Sequence, residues 1–207
     1  MERPVIRRGI PHDLLPAAAG LLLDAFPLKV RDELRPRSDE QALAIIARSV
    51  DPECAWVALD DSGALLGVIG VSEPGRPFQH VRFSTLVELF GRVRSFARWA
   101  RAALTHSLFR PRDGQWHIDV LAVCSTSRGL GVGTLLIDAV RNAARDEGIH
   151  SIHLEVVDTN PRAQALYTKL GFRSTFTLHT GPLTASAGYR GAYLMRLDLE
   201  ADGARPT

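Results

Sequence analysis

Apolar residues along the chain change their spacing several times, and each change marks an element. Val5 and Ile6 follow Pro4, which suits the start of a short strand. From Leu14 to Leu23 the spacing is helical, with Asp13 placed to cap the start and Phe26-Pro27 to end it. Leu28 to Arg37 is charged and reads as a loop. Ser38 and Gln41 form a capping box for a helix through Leu43, Ile45, Ile46 and Ala47, which Asp51-Pro52 stops. Ala55 to Leu59 and Ala64 to Val71 are apolar runs on either side of Asp60-Asp61-Ser62-Gly63, the pattern of a hairpin.

A second helical stretch follows. Pro74-Gly75-Arg76-Pro77 breaks the strand, and Thr85 with Glu88 reads as a capping box. Leu86, Leu89, Phe90, Val93, Phe96, Ala97, Ala100, Ala103 and Leu104 then keep helical spacing. Its polar positions are mostly arginine: Arg92, Arg94, Arg98 and Arg101, with Arg82, Arg110 and Arg112 at the flanks. Three readings of this stretch stand side by side. It is a solvated helix face, a wall of a binding site that favours acidic or phosphorylated ligands, or a surface for nucleic acid or anionic lipid.

The stretch richest in chemistry runs from His117 to Gly133. It opens as an apolar strand through Ile118, Val120, Leu121, Ala122 and Val123, then turns small and polar, and ends in Gly129, Gly131 and Gly133. Val132, Leu135, Leu136, Ala139, Val140 and Ala143 lie on one face of a following helix that Gly148 ends. Glycines ahead of a helix let a phosphate approach backbone N–H groups that have no intrahelical partner, where the dipole is positive. Arg128 adds a cation. Gly133 is followed by Thr134-Leu135 instead of Lys-Ser/Thr, which removes the P-loop reading, and Thr134 also breaks the dinucleotide fingerprint.

From Ser151 to Phe172 the pattern repeats strand then helix. Ile152, Leu154 and Val156 alternate with His153, Glu155 and Val157; Asn160-Pro161 caps a helix whose stripe is Ala163, Leu166, Tyr167 and Leu170; Gly171 ends it. Arg173 to His179 and Tyr189 to Leu199 read as two last strands, Thr180 to Gly188 as a small, polar loop, and 200–207 as a disordered tail.

Arg128-x-x-Gly131-x-Gly133 after a Leu-Ala-Val strand end resembles the pyrophosphate loop of the GNAT family of N-acetyltransferases. Asn160, Ala163, Tyr167, Gly171 and Phe172 match a second motif of the same family. The resemblance implies an α/β GNAT fold: a mixed central sheet of about seven strands flanked by helices, with a helical insertion at about 74–113 between strands 3 and 4, all in one domain over 1–199. It implies acetyl-CoA as cosubstrate and no metal. Pantetheine would lie between the two parallel strands, against Leu121, Ala122 and Val123, with the Val123 N–H facing the developing oxyanion. Arg128, Gly129, Leu130, Gly131, Val132, Gly133 and Thr134 would hold the diphosphate, and Asn160 would both cap its helix and touch the coenzyme. Tyr167 matches the tyrosine that protonates the departing thiolate. For the base, Glu155 stands twelve residues before Tyr167, as a glutamate does in the family's ribosomal-protein alanine acetyltransferases. His117 falls where histone-type members carry a glutamate, and Asp119 or a water chain remains open. Cys124 reads as structural.

Composition narrows the partners. With 207 residues, 45% of them hydrophobic, the chain can bury a real core. A net charge of +2 does not itself call for nucleic acid or a membrane, and no apolar run approaches the ~20 residues of a membrane helix. Two cysteines suit a reducing cytoplasm. The expected function is acetyl transfer to a primary amine, of a small molecule, protein N-terminus or lysine. The competing reading is a non-catalytic acyl-CoA-binding module whose arginine-rich helix meets a partner or nucleic acid. The family often pairs, so a homodimer is among the expectations.

Overall fold

The computed structural model describes residues 3–27, 36–92, 95–96, 99, 110–179 and 188–199. Strands β1 (Val5–Arg8), β2 (Ala55–Leu59), β3 (Leu65–Ser72), β4 (Gln115–Val123), β5 (Ser151–Val157), β6 (Arg173–His179) and β7 (Gly191–Asp198) form one sheet in the order β1-β2-β3-β4-β5-β7-β6. Every neighbouring pair is antiparallel except β4–β5, so the sheet is mixed, as the sequence predicts. The loop at 28–35, the arginine-rich positions 93–94, 97–98 and 100–109, the loop at 180–187 and the tail at 200–207 lie outside the described residues.

Helices cover both faces of the sheet. Helix α4 (Val132–Asp146) and helix α5 (Pro161–Lys169) pack on one face against Trp56, Ile69, Trp116, Ile152 and Leu154. The buried row of α4 is Val132, Leu136, Ile137, Val140 and Ala144, so its centre sits slightly to one side of the expected stripe. Each of the larger aliphatic residues in that row contributes roughly 1.5–3 kcal/mol through burial. Helix α1 (Leu15–Ala25) and helix α2 (Asp39–Ser49) close the other face over Val57, Val68, Val120 and Ala122. Helix α3 (Phe83–Phe90) lies against α2 through Ile45, Leu86 and Phe90.

The capping signals resolve unevenly. The Ser38 box forms: the Gln41 N–H donates to Ser38 Oγ at 3.2 Å. Asn160 caps α5, its Oδ1 accepting from the Ala163 N–H at 3.1 Å. We expect Asn160→Ala to lower the unfolding free energy by about 1 kcal/mol in urea titrations, the usual worth of such a cap. Two other expectations fail. Asp13 lies inside a 3-10 turn, His12–Leu14, and makes no cap, because a cap residue must flank the helix in an extended conformation. Thr85 is also inside its helix, which starts at Phe83 after Arg82, and Glu88 instead pairs with Arg48 at 2.8 Å. The long helix expected through Leu104 is interrupted at Gly91, whose φ of +74° is left-handed.

One irregularity governs the centre of the sheet. Gly70 faces Val120, yet the next residue, Val71, faces Ile118. Asp119 is therefore a surplus residue on β4, a β-bulge. Before the bulge, Trp116 and Ile118 point toward α4; after it, Leu121 and Val123 take that side while Val120 and Ala122 join the opposite core. The residues after β3 reinforce this region. Phe78 is fully buried in the α1–α2 layer, its N–H donates to Ser72 Oγ at 2.9 Å, and its carbonyl accepts from the Asp51 N–H at 2.7 Å.

Candidate active site

The site begins where two parallel strands part. β4 pairs with β5 only from Gln115↔Ser151 to Ile118↔Leu154, and pairing stops at the bulge. β4 continues on β3 to Val123 and β5 continues on β7 to Val157. Backbone groups of successive strand residues point to alternate edges. The Cys124 N–H donates to the Leu66 carbonyl on the β3 side at 2.8 Å, so the N–H groups of Val123 and Leu121 point into the gap.

The loop after β4 ends in an uncapped helix. Gly129 and Gly131 both have φ of +84°, and Gly131 is the N-cap of α4 with no side-chain cap bond. The first intrahelical bond runs from the Leu135 N–H to the Gly131 carbonyl at 3.0 Å, so the N–H groups of Val132, Gly133 and Thr134 precede the ladder. A Cβ on Gly131 would meet no atom within 4 Å, and one on Gly129 would meet only the Arg162 guanidinium at 3.7 Å. Gly133 differs. Its φ is not left-handed, and a Cβ there would make ordinary contacts of 3.6–3.9 Å with Leu166, Leu121 and Val123. The conformational demand for glycine thus falls on 129 and 131. Arg128 donates from Nε to the Val123 carbonyl at 3.2 Å.

On the other side of β4 the three candidate bases form one chain of hydrogen bonds. Register pairs His117 with His153, which brings Glu155, two residues further on the same face, beside the imidazole. His117 Nδ1 lies 2.9 Å from Asp119 Oδ1, and Nε2 lies 3.2 Å from Glu155 Oε1. Ser72 Oγ donates to the other Asp119 oxygen. Burial alone pushes the His117 pKa down, but the hydrogen bonds to Asp119 and Glu155 outweigh it and raise the value to about 9. The ring is therefore an imidazolium at neutral pH, donating to both carboxylates.

This raised value has a stability consequence. The contribution of His117 to folding is fully present below its ordinary value near 6.5 and is lost as pH rises through about 9. We expect the urea midpoint of the wild type to fall across that window, and His117→Gln to flatten this part of the profile.

Tyr167 is buried, with its ring 5.7 Å from Phe172 in an edge-on arrangement, and burial pushes its pKa up to about 12. Cys124 donates to the Leu65 carbonyl at 3.2 Å, and burial raises its pKa, which fits a structural thiol. Among the described residues, no group of three or more His, Cys, Asp or Glu is set to hold a metal ion.

Most of the candidate residues share one cavity of about 1350 Å³. His117, Glu155, Tyr167, Asn160 and Arg128 line it, as do Leu121–Val123, Gly129 and 131–134. Leu130 does not: its side chain is 53% exposed and its N–H faces the Ser127 carbonyl at 3.4 Å. The sequence reading missed two residues. Arg162 stands over Gly129, and its only signal was a cation in the first turn of α5. Ser72, which holds Asp119, carried no signal at all, because only the bulge brings them together.

The acetyltransferase (GNAT) family model matches residues 20–172, and the chain belongs to that family. A mycothiol acetyltransferase from Jonesia denitrificans is 31% identical over 118 residues, which is 55% of this chain and 35% of that protein. One from Paenarthrobacter aurescens is 37% identical over 75 residues, 36% of this chain and 23% of that protein. The chain thus spans about a third or less of the curated relatives it matches. Among solved structures, a histone acetyltransferase HPA2 and related acetyltransferase from Corynebacterium glutamicum superposes with a TM-score of 0.65 at 22% identity, covering 100% of this chain and 99% of that one. A GNAT protein from Kribbella flavida gives 0.60 at 22% identity, covering 95% and 98%. These likenesses show the fold.

Proposed function

We propose that the chain is an acetyl-CoA-dependent N-acetyltransferase that moves the acetyl group directly to a primary amine. The observation that carries this reading is the single cavity that joins the β4–β5 gap, the uncapped start of α4, Tyr167 and the His117 cluster. The residues fit acetyl-CoA. Gly131 leaves open space where any Cβ would stand, amide donors and Arg128 and Arg162 match a diphosphate, and the gap offers free strand edges to the pantetheine amides.

Bound acetyl-CoA supplies an activated acyl group; the chain's own residues do the rest. The Val123 N–H points to where negative charge develops on the carbonyl oxygen, the role of an oxyanion donor. Asp119 and Glu155 give the acceptor end a negative character that draws in an ammonium. His117, already protonated, holds both carboxylates in place, which leaves Glu155 as first proton acceptor. An α-amine with a pKa near 8 asks little of it, a lysine amine near 10.4 more. Tyr167 keeps its proton throughout the neutral range. With a pKa above that of a thiol it acts first as a hydrogen-bond donor to the leaving sulfur, and the proton follows as the sulfur departs.

The test is coenzyme A release measured with a panel of primary amines, alongside calorimetric binding of acetyl-CoA. Release with at least one amine supports the proposal. Tight binding without release from any amine would instead identify a binding module, and absence of binding would overturn both. Gly131→Ala is expected to weaken coenzyme A binding about tenfold in the same calorimeter. A side chain held at φ +84° costs roughly 1–2 kcal/mol.

A further inference from the structure

The cavity carries charged side chains at two ends, and most are already answered. At the loop end, Arg128 and Arg162 face the diphosphate under the function proposed above. At the acceptor end, Glu73 is paired with Arg8 at 3.0 Å. Arg76 is held by Asp51 at 2.8 Å and Glu53 at 2.6 Å. Three charges are left over, and one of them, Lys169, stands in the last turn of α5, where a cation complements the helix dipole. Asp119 and Glu155 share a single imidazole, so that cluster is negative whatever the state of His117. Arg110, in the segment that leads into β4, also lines the cavity and has no acidic partner among the described residues.

We infer that the acceptor is a primary amine that also bears an anionic group, with its nitrogen at Asp119 and Glu155 and its anion on Arg110. A site is selective where its residual charges find complements in the ligand and remain unpaired with the wrong one. The residual charges at Asp119–Glu155 and at Arg110 are of opposite sign and line one cavity. A guanidinium binds carboxylate or phosphate by the same paired donors, so both anions belong to the class. The inference rests on the N-acetyltransferase reading.

The experiment measures kcat/KM for coenzyme A release by the full chain with matched acceptors. One arm compares ω-amino carboxylates from glycine to 6-aminohexanoate with their amides; the other compares O-phosphoethanolamine with ethanolamine. The expected result is a preference of tenfold or more for the anionic member in at least one pair, and the arm in which it occurs tells carboxylate from phosphate. Arg110→Gln should bring that ratio close to one, while Arg110→Lys keeps part of it. Unchanged coenzyme A affinity and thermal midpoint in both variants would confirm that they fold. Equal or better turnover of the neutral members throughout, or a ratio that survives Arg110→Gln, overturns the inference and leaves the acetyltransferase reading intact. No release with any amine overturns that reading, and this inference with it.

Discussion

Tyr167→Phe is expected to lower coenzyme A release about a hundredfold while changing acetyl-CoA affinity by less than about threefold. The substitution removes one hydroxyl and keeps the ring that packs edge-on against Phe172, so α5 and its contact with the sheet survive. On the proposed mechanism, what is lost is the donor beside the departing sulfur, and a positioned donor of this kind contributes on the order of 10²–10⁴ in rate. The measurement is steady-state release of coenzyme A at saturating acetyl-CoA, paired with calorimetric binding. A rate within a factor of three of the wild type would remove Tyr167 from the chemistry and return it to the core as a packing residue.

The largest effect on stability is expected at Gly70. A Cβ there would stand 2.4 Å from the ring of Phe78, well inside contact distance. The ring cannot swing away cheaply. Phe78 is fully buried, and its own backbone is tied to Ser72 on one side and Asp51 on the other. Overpacking a core usually costs about 1–3 kcal/mol, and Gly70→Ala should fall at or above the upper end because ring and backbone must move together. Urea unfolding monitored by tryptophan fluorescence would report it. A loss below about 1 kcal/mol would mean that Phe78 has room to shift. The displaced segment is also the one that carries Ser72, so the variant should lose activity at temperatures where it remains folded.

Much of the architecture was readable in the residues alone, and the failures have physical causes. Strands β2 and β3 announce themselves because apolar runs bounded by turn residues have few alternatives, β5 does so by alternation, and Ser38 and Asn160 form the caps that their neighbours predict. Asp13 misled because Pro11 leads into a tight turn before α1, which puts the aspartate inside a helical turn. Thr85 misled because it is the third residue of α3 and does not precede it, and burial of Leu86 and Phe90 sets where that helix lies. At the candidate site, spacing put the glycine loop at the start of α4 and Tyr167 on the stripe of α5, and both line the cavity. The bases were legible only as rivals: Glu155, His117 and Asp119 sit on two strands, and no local pattern reveals the register His117↔His153 that lines them up. Arg162 and Ser72 depend on contacts between distant segments, which periodicity does not encode.

The surplus residue opposite Gly70 and Val71 does two jobs at once: it aims Asp119 toward the imidazole, and it ends the pairing that would otherwise zip β4 to β5. The cleft is therefore written in a count of residues more than in their kind. Exchanging one aliphatic side chain for another at Leu121 or Val123 leaves that count alone, whereas deleting Asp119 would restore strict alternation with the other side chains of β4 keeping their faces, and would remove the bulge at which pairing with β5 stops. The cleft thus depends on the length of β4 as well as on the side chains it carries.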